Sequence, residues 1–182
     1  SRITTFPNPP VTEVTALDPV RGRVIARHPI PNAHLVEGVA FTPEGDLALL
    51  TAVRPKNLLP ALQVERGWMM TNGLAILDMR TGDMTQVSLD EPDAFYADPT
   101  DVAVTPEGRY AFVGHGGVDR VTVIDLPALR RVVEEAGSAG RAACADNMGL
   151  FRRFVLKRIP VGNNPNSLAV SPDGKRVYVA ER

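Results

Sequence analysis

Glu37-Gly38-Val39-Ala40-Phe41-Thr42-Pro43-Glu44-Gly45 is followed by two further copies of the same pattern, Thr100-Asp101-Val102-Ala103-Val104-Thr105-Pro106-Glu107-Gly108 and Asn166-Ser167-Leu168-Ala169-Val170-Ser171-Pro172-Asp173-Gly174. Each copy is a short apolar run, then Pro-acid-Gly, then a second β-rich run at 47–51, 110–114 and 176–180. Proline presets φ at the first central position of a tight turn, and glycine takes the positive φ that closes it. Each copy therefore reads as strand, turn, strand, and self-similarity along the chain is the mark of a repeat fold.

A third strand follows the first two copies, at 74–78 and 121–125, and both end in an aspartate, Asp78 and Asp125. A fourth alternating segment comes next, at 84–89 and 154–161. Four antiparallel strands per unit predict a propeller blade, so the expected fold is all-β: a partial β-propeller of about three four-stranded blades from a seven-bladed ring. The expected division of a single domain, 1–182, is a half blade at 11–30, a blade at 37–89 with an insertion at 52–72, a blade at 100–161 with an insertion at 126–152, and a half blade at 166–182. The second insertion opens with Pro127 and a helical run, 128–135, after Asp125 as N-cap, with Gly137 as the expected stop. About three blades form an arc. Each open end would leave about 600 Å² uncovered, roughly 15 kcal/mol at about 25 cal/mol per Å², so the expectation is a segment of something larger, completed by further blades in the same chain or in another.

The stretch Pro165-Asn166-Ser167-Leu168-Ala169-Val170-Ser171-Pro172-Asp173-Gly174-Lys175-Arg176-Val177-Tyr178-Val179-Ala180, with Val121-Thr122-Val123-Ile124-Asp125, resembles the YVTN-type β-propeller repeat family of bacterial surface and periplasmic proteins. Phe41-Thr42-Pro43-Glu44-Gly45, with the insertion running from Arg54 to Gly73, looks like propellers attached to c-type cytochrome or cytochrome c peroxidase-like modules. The resemblance implies a periplasmic or cell-surface location, association with a cytochrome c domain or subunit in electron transfer, and a role in protein–protein interaction. It covers most of the chain outside the insertions and speaks to fold more than to function.

The chain has 182 residues, 44% of them hydrophobic, and a formal net charge of −1. That charge supplies no field to draw nucleic acid, and no apolar run of about 18 residues is present to span a bilayer. One cysteine, Cys144, excludes an internal disulfide and any Cys-x-x-Cys-His haem attachment within these residues. No cofactor is expected in this segment; haem c or a metal would be held by the remainder of the protein. The basic cluster Arg152, Arg153, Lys157 and Arg158 reads as a charged guard on an edge strand.

Antiparallel connectivity sends the loops between second and third strands, and those between units, to one face. That face collects His34, Glu37, Arg54, Lys56, Trp68, Met69, Met70, Tyr96, Asp101, His115, Asp119, Arg120, Asn164 and Asn166, and loops on a rigid scaffold are where binding residues concentrate. His34 and His115 are weak candidates for metal ligands or a general base, against a plain reading as hydrogen-bonded loop residues. Glu37, Asp101, Asp119, Asn164 and Asn166 would offer oxygens to Ca²⁺, against turn capping and contacts between units. Trp68, Met69 and Met70 form a soft apolar cluster suited to a partner surface, against burial on the strand ends. The favoured reading is a non-catalytic binding or scaffold module. The alternative is an enzyme, lactonase-like or a reductase, with a metal or haem site at the channel mouth completed by other blades.

Overall fold

The computed structural model describes residues 11–55 and 70–182. Its hairpins form around the Pro-acid-Gly turns. In the three copies the glycine N–H donates to the hydroxyl residue's carbonyl, Gly45 to Thr42 at 2.8 Å, Gly108 to Thr105 at 2.9 Å and Gly174 to Ser171 at 2.9 Å. The glycines sit at φ +69°, +68° and +69°, where a side chain would be strained. The same hydroxyl caps the returning strand, accepting from Leu47 N at 3.1 Å, Tyr110 N at 3.0 Å and Arg176 N at 3.0 Å.

Among the described residues the chain is mostly β, in antiparallel sheets, with one substantial helix. Strands β1 (Val11–Asp18) and β2 (Arg23–Pro31) pair as a hairpin. Strands β3 (Val39–Phe41), β4 (Leu47–Pro55), β5 (Met70–Asp78) and β6 (Met84–Ser88) make a four-stranded sheet in chain order. A second four-stranded sheet holds β7 (Pro99–Val104), β8 (Tyr110–His115), β9 (Arg120–Asp125) and β10 (Val155–Pro160), again in chain order. Strands β11 (Ser167–Val170) and β12 (Val177–Ala180) pair as a last hairpin. Helix α1 (Leu126–Cys144) and the single turn α2 (Phe151–Phe154) lie between β9 and β10.

The aspartates that end β1, β5 and β9 all do one job. Asp18 Oδ1 accepts from Val20 N and Arg21 N, both at 3.0 Å. Asp78 Oδ1 accepts from Arg80 N at 2.8 Å and Thr81 N at 3.2 Å. Asp125 Oδ1 accepts from Ala128 N at 2.9 Å and so caps α1. An aspartate in this place satisfies amides that a strand end leaves free, whether a turn or a helix follows.

Two details depart from the sequence expectation. The ladder between β4 and β5 runs from Leu47↔Asp78 to Pro55↔Met70, so residues 52–55 and 70–72 belong to strands and not to the insertion. The cause is burial: β4 is covered on both faces from Leu47 to Val53. Helix α1 does not stop at Gly137. That residue turns out of the helix at φ +55°, ψ −171°, and the chain then resumes a second helical stretch, in which Ala139, Ala142 and Ala143 favour the helix and Cys144 returns to the core.

Packing follows the period-2 alternation of β4 and β5. Leu47, Leu49, Leu74 and Ile76 join Val102, Ala111, Val113 and Ile124 of the second sheet and Leu126, Leu129, Val132 and Phe154 of the helical insertion in one core. Ala48, Leu50, Ala52, Ala75 and Leu77 face the other way and pack with Ile30 and Ala33 at the first hairpin. Arg130 pins α1 to the hairpin turn of the first sheet, its Nη1 2.6 Å from Asp46 Oδ2 and its Nη2 3.2 Å from Glu44 Oε2; the guanidinium holds the Asp46 carboxyl well below the usual carboxylate range.

The first strands of successive sheets approach closely. A Cβ on Gly38 would stand 2.6 Å from Asp101 Cα and 2.8 Å from Val102 N, both backbone atoms that cannot swing aside. Gly38→Ala is expected to destabilise the fold by about 1–3 kcal/mol. Gly140→Ala, whose added methyl meets only Ala136 Cβ at 3.6 Å inside a helix, is expected to be neutral or stabilising by up to about 1 kcal/mol. Urea denaturation midpoints of the two variants check the pair.

Candidate functional site

Each loop that leads into a first strand puts a non-glycine residue in the left-handed region at the same offset. Leu35, Asp98 and Asn164 have φ +50°, +53° and +48°, and they stand at the same place ahead of Val39, Val102 and Leu168. Asp and Asn visit this region with little penalty, but a leucine there is strained by about 1 kcal/mol. Two residues further along each loop come Glu37, Thr100 and Asn166. All six line one cleft of about 340 Å³, together with Val53, Pro99, Gly116 and Arg182. Matching positions of three repeats thus converge on one polar rim.

The rim is held by hydrogen bonds between units. Thr100 Oγ1 donates to Pro165 O at 2.7 Å. Asp101 Oδ2 accepts from Leu168 N at 2.7 Å and from the Ser167 hydroxyl at 3.1 Å. Asp119 Oδ1 accepts from Asn164 N at 2.7 Å, while Arg120 Nη1 donates to the Asp119 carbonyl at 3.0 Å. Within the first sheet, Thr51 Oγ1 accepts from Gly38 N at 2.8 Å and holds the entry to β3. Gly116 and Gly117 have no room for a side chain: a Cβ would stand 2.7 Å from Asn164 Oδ1 on the first and 2.9 Å from Ala97 Cβ on the second.

Of the residues that the sequence nominates, Glu37, Asn164 and Asn166 meet at the cleft, and Asp101, Asp119 and Arg120 brace it. Asp101 is committed to the Leu168 amide and Asp119 to the Asn164 amide, so the two do not present a free cation shell. His34 is exposed and exchanges backbone bonds with Val53. Arg54 does not line the cleft and pairs with Asp146 at 3.3 Å. Met70 is half exposed at the start of β5. Lys56, Trp68 and Met69 lie outside the described residues. Among the described residues no three His, Cys, Asp or Glu side chains gather to hold a metal ion.

His115 is not a loop ligand. It ends β8 fully buried, with Nδ1 2.7 Å from Tyr96 O and Nε2 2.7 Å from Thr122 Oγ1. A carbonyl only accepts, so Nδ1 carries the proton and Nε2 accepts from the threonine hydroxyl. Burial drives its pKa down to about 3, with the nearby Arg158 adding in the same sense against the bond to Tyr96. Both ring nitrogens are taken, and the imidazole stays neutral.

Arg158 completes this network. It reaches inward from β10, donating from Nη1 to Thr122 Oγ1 and from Nη2 to Leu89 O at 2.6 Å. Its guanidinium carbon lies 3.7 Å from the Tyr96 ring centroid, and Nε is 3.5 Å from Glu91 Oε1. The expectation of a solvated guard fits Arg152, Arg153 and Lys157, which are exposed, but not Arg158. Its partners lie 36 to 69 residues away, beyond any local pattern. Asp90, fully buried, accepts from Asn72 N at 2.8 Å and Tyr96 N at 2.8 Å, and desolvation raises its pKa in spite of those bonds. Together Arg158, His115 and Asp90 fix the 89–98 loop that delivers Asp98 to the rim.

Over 168 residues, 92% of its length, the sequence is 31% identical to hydrazine synthase subunit beta of Kuenenia stuttgartiensis. This chain is similar to a hydrazine synthase subunit. The solved structure of Kuenenia stuttgartiensis hydrazine synthase superposes with a TM-score of 0.87 and 30% identity over 93% of this chain. The chain spans less than half of either relative, 44% of the curated sequence and 48% of the solved chain. No family model matches. The resemblance to YVTN-type repeats and to cytochrome-attached propellers is therefore corrected: the similarity that can be traced residue by residue is to an enzyme subunit, and the cytochrome-associated electron-transfer role that came with the resemblance goes with it. Among the described residues no helix is long and apolar enough to cross a membrane.

The buried imidazole makes a pH prediction. With a folded pKa of about 3 against about 6.5 in the unfolded chain, the unfolded state binds the proton first. Stability is full above about pH 6.5 and falls by up to about 1.4 kcal/mol per unit as the pH drops toward 3. Asp90, raised by burial, works in the opposite sense at the acid end. Denaturation at several pH values is expected to show this slope, and His115→Gln is expected to flatten it.

Proposed function

We propose that this chain is part of a ring of four-stranded sheets, a propeller arc, in a subunit of a complex of the hydrazine synthase type, and that it serves there as a scaffold docking a protein partner on the polar rim. What carries the reading is the alignment of 92% of the chain with a polypeptide named as a subunit. The rim supplies the geometry: three repeats deliver matching positions to one cleft, as first strands grouped around an axis would.

Burial at matching positions supports the arc. Val102 and Leu168, each covered by the preceding sheet, are 3% and 8% exposed, while Val39, which follows a hairpin and not a full sheet, is 52% exposed. Phe41 beside it, and Leu156 and Tyr178 at the other end, are also exposed. Further sheets of the complete ring would cover both faces. Docking is favoured over chemistry at the rim because residues nominated as a general base or as cation ligands are engaged in structure: His115 is locked neutral, Asp101 holds the Leu168 amide and Asp119 the Asn164 amide.

Reversing the charge and bulk at the rim with Glu37→Arg and Asn166→Arg, both exposed, is expected to weaken assembly of the intact protein with the other subunits of its complex by about tenfold or more, with thermal stability unchanged. Size-exclusion chromatography and titration of the purified subunits measure it. Assembly at wild-type affinity in the double variant would remove the rim from the interface, and failure of the wild-type protein to assemble at all would remove the subunit reading.

A further inference from the structure

A second cleft, of about 440 Å³, lies between the outer strand β6 and the far end of α1; Arg54, Arg141, Gln86 and Asn32 are among its lining residues. Of the six buried side-chain atoms without a hydrogen-bond partner among the described residues, four belong to these residues: Arg54 Nε, Arg141 Nε, Gln86 Oε1 and Asn32 Oδ1. Buried polar atoms are almost always paired, and an orphan carries its full desolvation penalty. Four on one cleft mark a place built to be completed by something else.

The donors and acceptors are of known kind. Gln86 is only 8% exposed, and its Nε2 donates to Pro31 O at 2.8 Å. A carbonyl cannot donate, so the amide cannot flip and Oε1 remains an acceptor awaiting a donor. Arg54 and Arg141 each spend an Nη1 on an acid at the cleft's edge, Asp146 at 3.3 Å and Asp83 at 2.9 Å, and both acids are more exposed than the arginine they meet. That leaves the Nε–H of each guanidinium. No acidic side chain lines the cleft itself, and Met84, Ala142 and Ala145 supply an apolar wall.

We propose that this cleft binds a small carboxylate that also carries a hydroxyl or amino donor: its carboxylate oxygens accept from Arg54 and Arg141, its donor pairs with Gln86 Oε1 and Asn32 Oδ1, and its carbon skeleton lies against Met84, Ala142 and Ala145. Charge-assisted bonds to a carboxylate are the strong ones, so the anion sets affinity. The amide oxygens set selectivity, because a ligand without the donor leaves them unpaired. The site is separate from the rim and does not depend on the docking role.

The probes are L-malate, which has two carboxylates and a hydroxyl, and succinate, which lacks the hydroxyl. Calorimetric titration of the intact protein is expected to show malate binding, with succinate weaker by about tenfold. Arg141→Lys keeps a cation for Asp83 but removes the Nε–H, and is expected to weaken malate by about tenfold. Gln86→Met keeps the side-chain volume and is expected to abolish the preference for malate over succinate. Should Gln86→Met fail to fold, Arg141→Lys, on a helix flank, still decides the matter. Absence of malate binding to the wild-type protein, or binding that Arg141→Lys leaves unchanged, would overturn the proposal.

Discussion

The approach of one first strand to the next is the constraint on which the rest depends. Gly38 lets the backbone of Asp101 come within reach of the first sheet, and the Asp101 carboxylate in turn takes the Leu168 amide of the last hairpin at 2.7 Å. An unpaired amide at a buried strand start costs about as much as a lost hydrogen bond, so the carboxylate makes the neighbouring sheet's position part of its own satisfaction. Thr100, bonded to Pro165 O, and Asp119, bonded to Asn164 N, repeat the arrangement within two turns of chain. Sheets so tied cannot slide independently, and the rim is the consequence.

A rim assembled this way needs its loops held from behind as well. The longest of them, 89–98, is fixed by charges drawn into the interior: Asp90 gathers the amides of Asn72 and Tyr96, and the Arg158 guanidinium sits over the Tyr96 ring. The hydroxyl of Thr122 accepts from Arg158 and gives its own proton to His115, whose other nitrogen holds the Tyr96 carbonyl. Every member of that chain has one role in it. Buried polar groups linked in this manner lose more when one is removed than any single bond suggests. Helix α1 plays a comparable part on the opposite side, where Arg130 grips the hairpin turn of the neighbouring sheet.

The repeat made the strands legible because the turn chemistry is local. Pro-acid-Gly demands its backbone wherever it stands, and the aspartates at the ends of β1, β5 and β9 announce a capped turn from within a few residues. The extent of β4 and β5 was less legible, since seven buried positions in a row show neither face to solvent and so lose the alternation that marks an edge. The second half of α1 was hidden by Gly137, a residue that ends many helices and here only interrupts one. At the site, Glu37, Asn164 and Asn166 follow from connectivity alone. His115 and Arg158 do not: a histidine after a strand looks like a loop residue until the side chain that covers it, from far along the chain, is known. The family label also failed for a physical reason. Turn and strand patterns are shared by unrelated repeat proteins, and only the intervening residues carry ancestry.

Asp101 is the tie between the second sheet and the last hairpin, and amide hydrogen exchange of Asp101→Ala in the intact protein tests that tie most directly. The predicted result is exchange faster by about ten- to a hundredfold at Leu168 and its neighbours in β11, with β4 and β5 as protected as before. Unchanged protection at Leu168, or an equal loss across all strands, would contradict it.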